Sequence, residues 1–424
     1  MKNKTTSFFA FFGCLTVMAL FISCNSKNEK NQKSSDDSDS LNFKYPPEWE
    51  PQEAIWVDFA TDFSFGSPNE SKLKIIKTLS NYINTKVVFD DDSLKQVAID
   101  YLKENNGNLD SITFIKTLYP MNWIRDPGPI FLSNGSELRM ADFKWSCYGN
   151  VYNYDCDTDL RGNVDNEIAK EMGLEIDSTG IYLEGGGIEV SNNTAIAYKA
   201  MATQRNPDKS IGEVEKIILT TYDKEQMIWL DDFPLIDKPN NKIANFLGNG
   251  ANGHIDVTTR FLNDSTILAT VISENDKNKN ELLLEDYRIL NENLKQLKLA
   301  KRPNGKDYNI LTIEAPDYSL YQYPTKLSAE TKENFGLDNF QVNDSVIFVP
   351  ALEYANFLIT NGAILVSKYW REGMPESEKQ KDKNIQIILK EHFPNRDILA
   401  LDVLPINWGG GGIHCRTQQE PKIK

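Results

Sequence analysis

One arrangement recurs along most of the chain: a strand-forming run, a tight turn of Ser, Asn, Asp or Gly, and a second strand-forming run. Short runs on both sides of such turns predict β-hairpins. The turns lie at 133–135, 192–193, 263–264 and 361–362. Helix-like stretches with apolar residues at helical spacing occur at 71–83, 213–222, 282–299 and 378–392. Repetition of a unit with several strands and a helix predicts an α/β protein of similar modules around a centre.

The first 42 residues differ from the rest. Lys2 and Lys4 precede a nearly all-apolar run at 8–22, and Ser23 precedes Cys24. This order predicts a signal peptide at 1–23, since the apolar run is too short for a good membrane span. The four residues at 21–24, Phe-Ile-Ser-Cys, resemble a bacterial lipobox, in which the cysteine becomes the lipidated first residue. A plain cleaved signal is the alternative.

Residues 24–42 contain almost only polar residues and predict a flexible tether behind a lipidated Cys24. We therefore expect an exported protein, anchored by lipid to the cell envelope on its periplasmic or outer side. Residues 43–424 contain no linker rich in Pro, Ser and Gly and are long enough for a large core. They predict a single domain.

The chain is acidic, with a formal net charge of −15. Such a charge repels nucleic acid and attracts small cations, so we expect no nucleic-acid partner and favour a small cationic substrate. Solubility alone would also account for surface acid.

Three cysteines follow the signal and the lipobox: Cys147, Cys156 and Cys415. In an oxidising compartment Cys147 and Cys156 could form a disulfide across their short loop, or remain separate thiols. Pairing them would leave Cys415 as a free thiol in an exported chain. Cys415 also follows four consecutive glycines at 409–412, which leave bare backbone beside it. The pattern favours a nucleophile approached by a flat substrate over a small buried apolar residue, the commoner role of a free cysteine.

Several acids and a histidine also lie beside glycine or in turns. His254 and Asp256 open a strand-like run, which would place both side chains on one face. Asp126 lies in a turn of Pro and Gly, and Glu184 precedes three glycines. Each has a structural alternative: a surface His–Asp pair, a turn acid capping its own backbone, or a strand end with a glycine bulge.

Other chemistries lack their motifs. The chain has no Cys-x-x-Cys or His-x-x-x-His pair for a metal, no phosphate loop and no Gly-x-Ser-x-Gly elbow. A thiolate attacks electrophilic carbon, and two carboxylates can clamp a planar guanidinium in front of it. A histidine can protonate departing ammonia and then activate water. This set of residues therefore predicts hydrolysis at a guanidinium carbon without metal or organic cofactor.

The motifs and their order resemble the agmatine deiminase and bacterial-type (Porphyromonas-type) peptidylarginine deiminase family of guanidino-modifying penteins. The motifs are PEWEPQEAIW at 47–56, WIRDPGP at 123–129, LEGG at 183–186, GHID at 253–256, YANF at 354–357 with TNG at 360–362, and GGGIHCRTQQ at 410–419. The resemblance covers nearly all of residues 45–421. It implies a five-bladed α/β propeller of ββαβ-type modules with the active site in a central channel.

The resemblance also assigns roles. Cys415 would be the nucleophile, His254 the general acid and base, Asp126 and Asp256 the guanidinium clamp, and Glu184 the acid that positions the histidine. It further implies substrate contacts from Trp123, Gly410, Gly411 and Asn356. If the backbone is extended at 414–415, His414 should project away from the site.

The chain departs from the common family pattern in four places. Pro127 stands where Thr or Tyr is common. Gly412 stands where Asn is usual, and Arg416 stands where an apolar residue is usual. A Trp-Gly-Gly segment is replaced by Trp-Ser-Cys-Tyr-Gly-Asn at 145–150. The residues expected to take part in the reaction are present, whereas segments expected to contact the substrate's tail differ from the family pattern.

The favoured function is conversion of agmatine and water to N-carbamoylputrescine and ammonia, a step of putrescine biosynthesis. The alternative is a peptidyl- or protein-arginine deiminase that produces citrulline, which would use arginines to hold a peptide carboxylate; Arg139, Arg161 and Arg205 are candidates. A non-catalytic guanidino-binding lipoprotein and an amidinotransferase are further alternatives. The partners expected are a small guanidino compound or peptidyl-arginine, and a membrane only through the lipid anchor.

Overall fold

The hairpin that recurs in the sequence is the unit from which the fold is built. The computed structural model describes residues 42–61, 69–118, 122–151, 158–239, 243 and 245–424. The predicted signal peptide, the lipidated Cys24 and Cys156 lie outside these residues, as does the predicted tether except for its last residue.

The described residues form strands that are numbered in chain order: β1 (Gln52–Asp58), β2 (Asn84–Phe89), β3 (Ile112–Lys116), β4 (Ile130–Ser133), β5 (Leu138–Lys144), β6 (Glu175–Tyr182), β7 (Ile188–Val190), β8 (Thr194–Tyr198), β9 (Gln226–Leu230), β10 (Phe246–Leu247), β11 (Thr259–Asn263), β12 (Thr266–Val271), β13 (Asn309–Glu314), β14 (Tyr323–Lys326), β15 (Ser345–Phe348), β16 (Leu358–Ile359), β17 (Ala363–Ser367), β18 (Asp397–Leu401) and β19 (Thr417–Pro421).

The helices of the described residues are numbered in the same way: α1 (Asn69–Leu79), α2 (Asp92–Glu104), α3 (Cys147–Asn150), α4 (Thr158–Arg161), α5 (Val164–Met172), α6 (Lys199–Arg205), α7 (Ile211–Tyr222), α8 (Glu281–Leu299), α9 (Ala329–Asn334), α10 (Glu376–His392) and α11 (Leu404–Asn407). None of them combines the length and apolarity that crossing a membrane requires.

Five sheets share one plan. In each, an antiparallel pair is extended by a parallel third strand, as in β4-β5-β6, β7-β8-β9, β11-β12-β13 and β16-β17-β18. At least one helix lies between the second and third strand, because parallel neighbours need a crossover. The predicted ββαβ modules are therefore present. A sixth sheet, β10-β15-β14, stands outside this plan.

The fifth module joins the two ends of the domain. β19 pairs antiparallel with β1, which continues into β2 and β3 by parallel pairing. This pairing places Thr417 opposite Val57 and thereby fixes the residues just before β19 against the N-terminal strand. Middle strands such as β8 and β17 are buried along their whole length, since helices and neighbouring modules cover both faces.

All four predicted hairpins are confirmed, with one shortened strand. β16 covers only Leu358–Ile359, so Asn356 and Phe357 precede it in irregular backbone. The four predicted helices are confirmed as α1, α7, α8 and α10. The strand predicted at 253–257 is wrong: Ile255–Val257 form a 3-10 turn, and β11 begins only at Thr259. The overall class is mixed α/β, and no closed sheet is present among the described residues.

Candidate active site

Cys415 lies in a 3-10 turn, His414–Arg416, that ends where β19 begins. It is 2% exposed. Its Sγ accepts a hydrogen bond from Asn356 Nδ2 at 3.1 Å and lies 3.6 Å from Asp256 Oδ2. Asn356 Oδ1 accepts the backbone N–H groups of His414 and Cys415 at 2.9 and 3.3 Å. Asn356 therefore fixes the position of the thiol.

Asp126 reaches the same place from the turn between β3 and β4. Its Oδ1 accepts the backbone N–H of Gly186 at 3.2 Å, and its Oδ2 accepts the hydroxyl of Tyr148 at 3.0 Å. Oδ1 also lies 3.5 Å from His254 Nδ1. The preceding Trp123 has a left-handed backbone, with φ of 63°. A bulky residue adopts this conformation only where its surroundings impose it.

His254 lies between two carboxylates. Nδ1 faces Asp126, and Nε2 lies 3.8 Å from Glu184 Oε2. Glu184 is itself held by Ser146 Oγ at 2.9 Å and by Arg205 Nε at 3.0 and 3.1 Å. All of these side chains are buried. Ser146 and Arg205 therefore fix Glu184 so that it faces the imidazole; its role in positioning the histidine stays a prediction.

The catalytic groups converge on the space beside Gly186. A Cβ atom added there would lie 2.6 Å from His254 Nδ1, 2.9 Å from Asp126 Oδ1 and 3.2 Å from Asp256 Oδ2. Within the described residues, both ring nitrogens of His254 and Oδ1 of Asp256 are buried without a hydrogen-bond partner. Buried polar atoms of this kind normally have partners, so the three atoms indicate a place for a polar ligand.

The electrostatics separate the roles of the thiol and the imidazole. Burial, with the negative charges of Asp256 and Asp126, raises the pKa of Cys415 well above that of an ordinary thiol. Burial lowers the pKa of His254, but Asp126, Glu184 and Asp256 outweigh it and raise the value to about 9. In the empty site Cys415 is therefore a thiol and His254 an imidazolium.

The three carboxyl groups differ as well. Burial raises the pKa of Asp126 to about 7. Burial acts in the same direction on Glu184, but Arg205 and His254 outweigh it and lower the pKa to about 2. For Asp256, burial is outweighed by a hydrogen bond from His414, and the pKa is lowered. A cation between Asp126 and Asp256 would favour the ionised form of Asp126 and of Cys415 alike.

A small cavity lies beside Cys415, with a volume of about 30 Å³, or about 320 Å³ together with the open space at its mouth. Its wall is formed by Trp123, Asp126, Tyr148 and Cys415 and by residues 249–251 and 409–410. Gly250, Gly409 and Gly410 contribute only backbone to this wall.

The glycines of this wall are required by close approaches. Gly410 has φ of 105°, and a Cβ there would lie 2.1 Å from the carbonyl oxygen of Asn249. A Cβ on Gly411 would lie 2.8 Å from the Trp123 ring and 3.0 Å from Cys415 Sγ. Bare backbone beside the nucleophile, predicted from the sequence, is thus present.

The expectation that His414 projects away from the site is wrong. The backbone at 414–416 is a 3-10 turn rather than extended, and His414 is buried with Nδ1 2.7 Å from Asp256 Oδ2. The strand argument that placed His254 and Asp256 on one face also fails, although both side chains do reach the site through the turn at 255–257.

The departures from the family pattern have structural partners. Arg416 is buried, with its guanidinium 3.5 Å from the centre of the Trp123 ring and hydrogen bonds to Asp58 at 2.8 Å and Asn122 at 3.0 Å. A Cβ on Gly412 would lie 2.6 Å from Asn356 Oδ1, so its absence leaves room for Asn356.

The altered segment at 145–150 supplies Tyr148 to Asp126 and Ser146 to Glu184. Residues 147–150 all have positive φ, so α3 is a left-handed turn. Cys147 is disulfide-bonded, and Cys156, its predicted partner, lies outside the described residues.

The arginines considered for a peptide carboxylate are placed elsewhere. Arg205 is buried against Glu184, and Arg139 forms ion pairs with Glu175 and Asp177 at 2.7 and 3.6 Å. Arg161 ends α4.

Asp237 was missed by sequence reasoning. Its carboxylate accepts the backbone N–H groups of Ala251, Gly253 and His254 at 2.7 to 2.9 Å, and so shapes the loop that carries the histidine. No motif marks it. Glu48 and Tyr148 were also missed, although both lie in segments compared with the family. Within the described residues no cluster of three or more His, Cys, Asp or Glu side chains could hold a metal ion.

Comparisons with known proteins show which family the chain resembles over its whole domain. A model of the Porphyromonas-type peptidyl-arginine deiminase family matches residues 44–421. The agmatine deiminase of Pseudomonas putida is 24% identical over 398 residues, covering 89% of this chain and 95% of that protein. The structure of the Enterococcus faecalis agmatine deiminase has 22% identity and a TM-score of 0.70, covering 90% of this chain and 96% of that one.

A second solved structure shows the same fold. It is a cysteine-to-serine variant of the C. jejuni agmatine deiminase with substrate bound, at 21% identity and a TM-score of 0.65, covering 90% of this chain and 98% of that one. Since the family model spans almost the whole of the described domain, the chain belongs to the Porphyromonas-type peptidyl-arginine deiminase family.

Proposed function

We propose that the protein is a hydrolase that deiminates a small guanidine, with agmatine as the favoured substrate. The observation that carries the proposal is the convergence of Asp126, Asp256 and His254 on the space beside Gly186, next to the thiol of Cys415. Two carboxylates can hold a planar guanidinium by paired hydrogen bonds, which would present its carbon to the sulfur.

The first half-reaction begins when the guanidinium binds between Asp126 and Asp256. Its positive charge lowers the pKa of Cys415, and the resulting thiolate attacks the guanidinium carbon. A C–S bond forms, the His254 imidazolium gives its proton to the departing nitrogen, and the C–N bond breaks to release ammonia. The product is a covalent S-alkylthiouronium on Cys415.

The second half-reaction is hydrolysis of that intermediate. His254, now neutral, takes a proton from water, and the oxygen attacks the thiouronium carbon. The C–S bond breaks, the thiolate returns and the ureido product leaves. With agmatine the products are N-carbamoylputrescine and ammonia.

Three features support agmatine. Relatives with nearly full-length coverage are agmatine deiminases. Three of the nine residues that line the cavity beside Cys415 are glycines, which leaves room for a slim unbranched tail. Arg139 and Arg205, candidates for holding a peptide carboxylate, are engaged with Glu175, Asp177 and Glu184. The family's name favours peptidyl-arginine as the second candidate.

The test is ammonia release from agmatine, free arginine and an arginine-containing peptide, with Cys415→Ala as the blank. Release from agmatine with N-carbamoylputrescine as the ureido product supports the proposal. Release from the peptide alone would make the protein a peptidyl-arginine deiminase. Binding of guanidines without release would favour a binding protein, and transfer of the amidino group to an added amine would favour an amidinotransferase.

The five modules support arrangement as a five-bladed pentein propeller with this site at its centre. The order of residues 1–42 supports export and a lipid anchor at Cys24. Envelope fractionation, with mass analysis of the N-terminal peptide from the native protein and a Cys24→Ala variant, tests the anchor. An unmodified, soluble native protein would refute it.

A further inference from the structure

His414 bridges two acids that lie far apart in the sequence. Nδ1 lies 2.7 Å from Asp256 Oδ2, and Nε2 lies 2.5 Å from Glu48 Oε1. The imidazole is 1% exposed, Asp256 is fully buried and Glu48 is 9% exposed. Glu48 lies in the turn at 47–50 that precedes β1, and His414 lies in the 3-10 turn that precedes β19.

Two arginines form ion pairs with Glu48, on the side of His414 away from Asp256. Arg260 Nη2 lies 2.5 Å from Glu48 Oε2, and Arg125 Nη1 lies 3.2 Å from Glu48 Oε1. Burial raises the pKa of Glu48, but His414, Arg260 and Arg125 outweigh it, so the pKa is lowered and the group is a carboxylate. Arg260 also donates to the carbonyl oxygens of Ala355 and Phe357, beside Asn356.

The two contacts of His414 require two protons. A carboxylate only accepts hydrogen bonds, so each ring nitrogen must share a proton with the acid that it faces. Burial and the charges of Arg125 and Arg260 lower the pKa of His414, and Glu48 and Asp256 oppose them. Whichever group carries each proton, Asp256 Oδ2 is held in a hydrogen bond with His414 Nδ1.

The two oxygens of Asp256 are therefore not equivalent. Oδ2 is bound to His414 and faces Cys415, whereas Oδ1 is buried without a partner among the described residues. Free rotation of the carboxylate would exchange them. A donor fixed on Oδ2 prevents this exchange and keeps the carboxylate in the orientation in which Oδ2 borders the space beside Gly186 and Oδ1 has no protein donor among the described residues.

We propose that His414 and Glu48 are positioning residues for Asp256, which fix its carboxylate in one orientation at the edge of the space assigned to the substrate's guanidinium. The role for the substrate rests on the proposed function, but the contact with Cys415 allows a test without substrate. The charged or titratable groups around the pair are Cys415, His254, Asp126, Glu353, Arg260, Arg125, Glu48 and Glu189.

The test compares His414→Leu, which removes both contacts, with His414→Asn, whose amide can donate from the place of Nδ1. The readout is the pH at which iodoacetamide alkylates Cys415 at half its maximal rate, followed by mass spectrometry of the Cys415 peptide. Without the donor the charge of Asp256 is uncompensated, so His414→Leu should raise this midpoint by about one pH unit. His414→Asn should remain close to the native protein.

A double-mutant cycle separates positioning from general damage. In an Asp256→Asn background, His414→Leu should shift the midpoint by less than half as much, because the group through which it acts is gone. An equal shift in both backgrounds, or none with Asp256 present, would overturn the proposal. If His414→Leu fails to fold, Glu48→Gln, which keeps the shape and removes the charge, replaces it in the same cycle and should give a smaller shift in the same direction.

Kinetics supply the second readout. If agmatine is turned over, His414→Leu should lower kcat/KM about tenfold to a hundredfold, mainly through KM, the range for loss of a hydrogen bond to a charged group. His414→Asn should recover most of the loss, and equal losses in the two variants would contradict the proposal. If no guanidine is turned over, the proposed function fails, and the alkylation cycle still decides the role of His414.

Discussion

The sulfur of Cys415 lies 3.6 Å from Oδ2 of Asp256, so the nucleophile of the empty site faces a carboxylate rather than a cation. Burial and this negative charge keep Cys415 protonated. The substrate, in the proposed reaction, brings the cation that the protein does not place at the sulfur. Reactivity of Cys415 toward neutral reagents should therefore be low when no substrate is bound.

Replacing Asp256 by Asn should lower the pKa of Cys415 and raise its alkylation rate at neutral pH, while deimination is lost. The physical reason is removal of one of the charges that oppose the thiolate, together with half of the guanidinium clamp. The rates of iodoacetamide alkylation and of ammonia release, measured on one preparation, check this. Slower alkylation of Asp256→Asn than of the native protein would be inconsistent with the charge balance described above.

The pH profile of kcat/KM should be bell-shaped. The clamp needs Asp126 ionised, so activity should rise as pH increases through about 7, and the general acid needs His254 protonated, so activity should fall through about 9. These limbs belong to the coupled site rather than to isolated residues. Glu184→Gln should move the basic limb to lower pH, because Glu184 helps to keep His254 protonated. A basic limb that stays in place would argue against this contact.

Tyr148→Phe should move the acidic limb to higher pH and raise KM several-fold, because the hydroxyl that donates to Asp126 favours the ionised carboxyl group. Tyr82→Phe is a matched control, since its hydroxyl also donates to a carboxylate, Asp397 Oδ2 at 3.0 Å, but at an exposed site. The measurement is the pH dependence of kcat/KM for both variants. Equal pH profiles for the two variants would show that Tyr148 does not influence the ionisation of Asp126.

Gly186→Ala should reduce kcat/KM by at least about a hundredfold, because a methyl group would lie 2.6 Å from His254 Nδ1, in the space assigned to the guanidinium. Gly187→Ala is the neighbouring control: its Cβ would meet the flexible end of Met201 at 2.7 Å, away from the catalytic groups. Thermal unfolding of both variants shows whether the domain stays folded. A folded Gly186→Ala variant with native kinetics would place the substrate elsewhere.

Arg416→Leu should destabilise the domain by about 1.5–3 kcal/mol, because Asp58 would lose one charged hydrogen-bond partner while keeping the buried ion pair with Lys72 at 3.4 Å. Removal of the guanidinium from the Trp123 ring should also loosen the cavity wall. Guanidines with long tails should then lose more kcat/KM than methylguanidine, which ends near the clamp. Arg416→Lys keeps the charge without the planar stack and serves as the control. Equal losses for short and long guanidines would show that Trp123 does not contact the tail.

The hairpins and their helices could be predicted because their signals are local: strand-forming residues flank Asn- or Gly-containing turns, and apolar residues follow helical spacing. The nearness of Asp126, Glu184, His254, Asp256 and Cys415 could be predicted only from resemblance, because the five residues come from four separate segments. The contact of Arg205 with Glu184 and that of Asp237 with the loop at 251–254 leave no periodic or compositional signal.

The errors have one cause. Residues 255–257 and 414–416 form single 3-10 turns, which are too short to produce the period of a helix or a strand. Both segments were interpreted as extended. For His254 and Asp256 the conclusion survived, since the turn still directs both side chains to the site. For His414 it did not, because the turn carries the imidazole inward to Asp256.

The most direct test of the account is acid quenching during turnover of agmatine, followed by mass spectrometry of the peptide that contains Cys415. The account predicts a transient adduct on Cys415 equal to agmatine minus ammonia, which disappears as N-carbamoylputrescine accumulates and is absent from Cys415→Ser. Full ammonia release by Cys415→Ser, or release by the native protein from a single-turnover mixture in which no adduct forms, would contradict it.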